Sequence, residues 1–142
     1  MARIKIQIPS QFAFFTVIPV RITDINYGGH VGNDTVLSII HEARIQFLKS
    51  IGYTELNVEG VGLIMRDAVL EFKAELFYGD IINCHVRADN FSSISFDLFY
   101  KLLNEQTDIV VAAAKTGMVS YDYDRKKVTA LPSDAVERLT NG

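Results

Sequence analysis

Residues 22–48 read ITDINYGGHVGNDTVLSIIHEARIQFL, a glycine-rich loop that runs without a break into an amphipathic helix. Val36, Leu37, Ile40, Ala43, Phe47, Leu48 and, just beyond, Ile51 recur at the three-and-four spacing of a buried stripe, which predicts a helix over 34–51. Asn33 is the expected N-cap, Asp34 suits the positive end of the helix dipole, and Gly52 follows as a stop. At about 1.5 Å per residue such a helix is roughly 27 Å long, enough to lie across a whole antiparallel sheet. The loop over 24–32 gathers a carboxylate, an amide and an imidazole (Asp24, Asn26, His30) around glycines at the helix start. Backbone amides there favour anions, so titratable side chains and a polarising dipole converge on one small volume.

Outward from this stretch, the chain reads as strands. A Phe-, Val-, Ile- and Thr-rich run over 11–22 precedes the loop. Alternation over 62–75 and 80–90 follows the helix, the second run placing Ile82, Cys84, Val86 and Ala88 on one face. Residues 93–103 carry Ile94, Phe96, Leu98, Tyr100 and Leu102 in the same phase, and 108–121 predict another long strand. Residues 123–126 have turn chemistry and lead to a short strand over 127–130. One long helix with five or six mostly antiparallel strands is an α+β arrangement, and no repeat or linker divides residues 1–142, so one domain is expected.

Composition narrows the function. A net charge of −3 with scattered basic residues argues against nucleic acid as a partner, since phosphate neutralisation needs a basic face. A single cysteine, Cys84, leaves no intramolecular disulfide and fits a reducing compartment; alternating with apolar neighbours, it reads as an inert core residue. Ile4, Ile6 and Ile8 alternate with Lys5 and Gln7, a strand-like pattern and not a secretory signal, so the cytoplasm is the default location. The apolar run over 12–20 is too short to span a bilayer and is broken by Thr16 and Pro19, so no membrane is expected. The chain contains no G-x-S-x-G elbow, no phosphate-binding loop and no dinucleotide fingerprint, and His41 and His85 lack metal-ligand spacing.

The order strand, loop, long helix, then a run of long strands resembles the hotdog fold, in which a curved antiparallel sheet wraps a central helix. The loop TDINYGGHVGN followed by HEARIQFL is similar to the acyl-CoA thioesterase branch of the 4-hydroxybenzoyl-CoA thioesterase superfamily, most clearly at Asp24, Gly29, His30, Val31, Asn33 and Glu42-Ala43-Arg44. The closing ALPSDAVERL, from Ala130, resembles the proline-led tail of these proteins. The resemblance implies hydrolysis of an acyl thioester of CoA or of acyl carrier protein, with no metal and no cofactor. It also implies a homodimer or homotetramer with acyl sites between subunits.

The chemistry can be assigned to residues independently. Amides near Gly32 and Asn33 would polarise the carbonyl, each such donor contributing about 3 kcal/mol. Asp24 is the preferred general base, worth about 10² to 10⁴-fold, with Asn26 positioning water or the carbonyl and His30 as a further base or donor. Many relatives carry an aspartate at the place of Asn26; an amide cannot act as a base, which moves the role toward Asp24 or toward Glu42. The expected acyl wall is Val36, Leu37 and Ile40 with Phe72, and Gly29 belongs to the loop that holds the substrate. Arg66, Lys73 and Arg87 are candidates for the nucleotide end.

Each residue also has a plain structural reading. Asp24 can cap a turn, Asn26 can adopt a left-handed conformation beside Gly28, His30 can be a structural hydrogen-bonder, and Glu42 can belong to a solvated stripe with Ser38, Gln46 and Lys49. Two other functions fit the same residues: a hydroxyacyl-thioester dehydratase using His30 with Glu42, or an acyl-CoA binding protein without turnover.

Overall fold

The computed structural model describes residues 5–142. In chain order it contains β1 (Phe14–Pro19), a 3-10 turn (Ile22–Asp24), α1 (Asn33–Ser50), β2 (Gly62–Phe72), β3 (Ile81–Asp89), β4 (Ser95–Asn104), β5 (Ile109–Asp122), β6 (Lys127–Val128) and α2 (Ser133–Thr140). The strands form one antiparallel sheet of order β1-β3-β4-β5-β2, with β6 paired to β5. β1 and β2 are therefore its two edges. Register shifts at Met65/Asp67 and Leu102/Leu103 mark bulges, which increase local twist and bend a strand. The hotdog architecture is thus present, a sheet wrapped on one long helix.

Strand alternation sorts the side chains. Ile82, Cys84, Val86 and Ala88 of β3 and Phe96, Leu98, Tyr100 and Leu102 of β4 all point into the core, where they meet Ile39, Ile40, Ala43, Phe47 and Leu48 of α1. Phe14 of β1 packs edge-on against Phe47, their centroids 5.5 Å apart, and so closes the core at that edge. Arg44 sits on the same buried stripe. Its Nη1 donates to Tyr100 Oη (3.3 Å) and its Nε to Glu55 Oε2 (3.1 Å), while Tyr100 Oη also bonds Thr116 Oγ1 (2.7 Å). Burial drags the Arg44 guanidinium pKa down, but Tyr100 and Glu55 outweigh it and the net direction is up, so the cation is secured.

Several boundaries differ from the sequence reading. The first strand is shorter than 11–22: residues 22–24 tighten into the 3-10 turn, and Asp24 holds it by accepting the Arg21 N–H at Oδ2 (2.8 Å). Lys5–Ile8 form no strand despite their alternation, and Ile4 lies outside the described residues. Ile94 precedes β4 and is partly exposed, β2 ends at Phe72, and β6 covers only Lys127–Val128. The tail from Ala130 contains α2, which buries Ala135 and Leu139. Gly52 follows α1 at φ +87°, as a helix stop should. No described helix is long and apolar enough to cross a membrane.

Candidate active site

The helix start differs from expectation in a way that matters chemically. Gly32, not Asn33, is the N-cap of α1, and no side chain caps it. A Cβ at position 32 would lie 2.8 Å from Asp34 Oδ1 and 3.5 Å from Asn26 Nδ2, so a larger residue there requires the Asp34 carboxylate to swing aside. Thr35 and Val36 N–H both return to the Gly32 carbonyl (3.1 and 3.2 Å), whereas the amides of Asn33 and Asp34 meet no acceptor among the described residues. Two donors at the positive end of an 18-residue helix are left free.

The loop before it is a small hairpin closed by an isolated bridge between Ile25 and Val31. Asn26 N–H donates to the His30 carbonyl (2.9 Å), Gly29 N–H to the Asn26 carbonyl (3.1 Å), and Gly28 N–H to Asn26 Oδ1 (2.9 Å). Gly29 takes φ +80° at the tip, a conformation open to glycine at little cost. Asn26 thus spends its carbonyl oxygen on the turn and leaves its Nδ2 near the helix start. His30 Nδ1 lies 3.1 Å from the Val31 carbonyl; a carbonyl only accepts, so Nδ1 carries the hydrogen and the lone pair of the neutral ring is on Nε2.

Two clefts border this region. One, of about 290 Å³, is lined by His30, Val31, Asn33 and Val36 together with Phe72 to Leu76, Val111 and Ala112. The other, of about 330 Å³, lies between β1 and α1 and is lined by Val17 to Pro19, Arg21, Asp24, Ser38, Ile39, Glu42 and Gln46. Asp24, only 5% exposed, and Glu42 therefore share a cleft with each other and not with the free amides. Asp24 Oδ1 also receives the Arg21 guanidinium (3.3 Å), and Glu42 accepts from Gln46 Nε2 (2.9 Å), whose own carbonyl takes the Thr16 hydroxyl.

Of the expected acyl wall, Val36 and Phe72 line the helix-start cleft, but Ile40 is wholly enclosed in the core and Leu37 faces outward, 37% exposed. The stripe spacing could not separate these positions, because one helical turn covers core, cleft and solvent. Lys73 borders the cleft and stands 3.5 Å from Glu71; Arg66 stands 3.7 Å from Asp67 on β2; Arg87 donates to the Gln11 carbonyl (3.1 Å) and lines neither cleft. Arg21 and Glu75 were not singled out by sequence. An Arg three residues before an Asp is a readable signal for the first, whereas nothing local marks the second. Among the described residues no three His, Cys, Asp or Glu side chains gather as metal ligands.

Comparison with known proteins bears on the fold and the family. A curated Aquifex aeolicus (strain VF5) protein, provisionally named an esterase, is 27% identical over 113 residues, covering 78% of this chain and 85% of that one. A 1,4-dihydroxy-2-naphthoyl-CoA thioesterase from Synechocystis superposes with a TM-score of 0.80 at 22% identity, covering 89% and 94% of the two chains. The Staphylococcus aureus DHNA-CoA thioesterase superposes with a TM-score of 0.79 at 17% identity, covering 89% and 88%. These two superpositions establish a shared fold. Residues 20–139, which span the hairpin, α1, strands β2 to β6 and nearly all of α2, match the sequence profile of one family, and the chain belongs to it: the thioesterase-like superfamily.

Proposed function

We propose that this protein hydrolyses an acyl-CoA to free acid and thiol at the cleft beside the start of α1. Family membership supports thioester hydrolysis in general, and the CoA thioesters named for the Synechocystis and S. aureus proteins support CoA as the carrier. The observation that carries the reading is the uncapped helix start, where the Asn33 and Asp34 amides are free and Asn33 lines a cleft that also holds an imidazole and an apolar wall. The carbonyl oxygen rests on those amides; water attacks the carbonyl carbon while His30 Nε2 takes its proton; the tetrahedral oxyanion collapses, the C–S bond breaks, and the thiolate recovers the proton from Nε2. Val36 and Phe72 receive the acyl group, Lys73 the polar arm, and Asn26 holds the hairpin that presents His30.

A second reading keeps the base on Asp24, favoured by the two carboxylates in the β1-side cleft. Thiol release from a panel of acyl-CoAs separates them. His30→Gln is expected to lower kcat by about 10² to 10⁴-fold, with Asp24→Asn milder because an amide oxygen still accepts the Arg21 N–H. The reverse pattern moves the base to Asp24, and hydration of an enoyl-CoA without thiol release makes the protein a dehydratase instead.

The working unit is proposed to be a homodimer, with a tetramer as its pairing. β2 is an 11-residue edge strand with one side of its ladder unpaired, and joining two such edges removes both liabilities at once.

A further inference from the structure

His30 is held from one side by its own backbone, Nδ1 to the Val31 carbonyl, which leaves Nε2 free to face across the cleft. Across from it, at 3.9 Å, stands Glu75 Oε1. That placement is built into the backbone. Lys73 and Ala74 N–H both donate to the Val111 carbonyl (2.9 and 3.2 Å), tying the exit of β2 to β5, and Val31 N–H donates to the Leu76 carbonyl (2.8 Å), tying the same segment to the hairpin. The backbone at Glu75 is therefore held on both sides next to the residue after His30, and both side chains line one cleft, that of Glu75 being 63% exposed.

We infer that Glu75 is a positioning residue for the hydrolysis, receiving the Nε2–H of His30 while the imidazole holds the proton taken from water. The inference rests on the reading of His30 as the base. During that interval the ring is a cation with both nitrogens donating, Nδ1 to Val31 and Nε2 toward Glu75. A carboxylate within about 4–6 Å favours the charged ring. The separation is longer than a hydrogen bond, as catalytic contacts in an unliganded site often are before they tighten with substrate. Lys73, the other charged side chain lining the cleft, stands 3.5 Å from Glu71, which leaves Glu75 as the carboxylate opposite the ring. A carboxylate supplied by the β2–β3 connection also accounts for how a loop with an amide at position 26 stabilises a proton in transit.

The test compares His30→Gln, Glu75→Gln and Glu75→Asp in the full chain, by thiol release under steady-state conditions. Glu75→Gln is expected to lower kcat about tenfold or more with KM within about twofold of the parent, and Glu75→Asp to recover part of the loss. Histidine-ring 15N NMR supplies the second readout: Glu75→Gln should move the His30 Nε2 resonance and leave Nδ1–H in place. If His30→Gln keeps its rate, the base assignment fails. If His30→Gln loses activity while Glu75→Gln keeps the parent kcat, raises KM alone, or leaves Nε2 unmoved, the role of Glu75 is overturned and the base assignment stands.

Discussion

Cys84 and Arg44 are both enclosed by the core, with opposite chemical consequences. Burial pushes the Cys84 thiol up to about 12, so the nucleophilic thiolate is suppressed and the sulfur is inert. A thiol reagent at pH 8 should leave the folded protein unlabelled and modify one site per chain once denaturant is added. Arg44 cannot shed its charge, so it must keep partners. Truncating Arg44 to Ala would leave Glu55 with only the His41 imidazole (2.9 Å) as a partner and the Tyr100 hydroxyl short of a donor, a loss of about 3 kcal/mol that thermal unfolding should report. Surface chemistry acts on the stability curve instead. The His85 pKa is lowered, first by partial burial and then by the Lys101 charge, so just below its ordinary value near 6.5 the unfolded chain binds more protons. Stability therefore rises with pH through that window and falls as pH drops through it. His85→Gln should flatten this part of the pH–stability profile in urea titrations.

For α1, the element, the decisive feature is what its first turn lacks. A glycine N-cap forgoes the side-chain bond that a Ser, Asp or Asn would make, at a net cost of roughly a few tenths of a kcal/mol, and in exchange leaves amides free for a ligand. Gly32→Asp provides that missing oxygen. Its carboxylate should occupy the amides of the first turn, with Asp34 swinging aside, so the unfolding midpoint is expected to hold or rise while kcat/KM falls about a hundredfold or more. A parallel loss of stability and activity would instead mean that the packing of Asn26 against position 32 is the limiting feature.

At the scale of the molecule, both edges of the sheet are open in a single chain, and β2 is the longer. In the proposed dimer the β2 edges pair, and light scattering should give at least twice the 15.9 kDa chain mass. Met65, exposed beside the β2 bulge, lies on that edge. Met65→Lys sets two like charges near the proposed seam and should shift the mass toward the monomer; an unchanged mass would move the contact to another surface.

Periodicity is a property of neighbouring residues, so the sequence by itself determined what depends on it, the long helix, the phase of β3 and β4 and the inert cysteine, while the family was legible in the resemblance of TDINYGGHVGN and HEARIQFL to known thioesterases. It was weaker where the local signal is short. α2 offers only Ala135 and Leu139 as a buried pair, and the ends of β1 and β6 rest on turns set by hydrogen bonds such as Arg21 N–H to Asp24. The candidate site was legible as a loop but not as an arrangement. Asp24 and His30 are six positions apart, yet the Ile25–Val31 bridge folds the chain between them, so that one joins Glu42 on the β1 side and the other meets Glu75 on the β5 side. Which side of a helix a loop residue reaches is decided by long-range backbone bonds, here Val31 to Leu76, and these exist only once the sheet has closed around the helix.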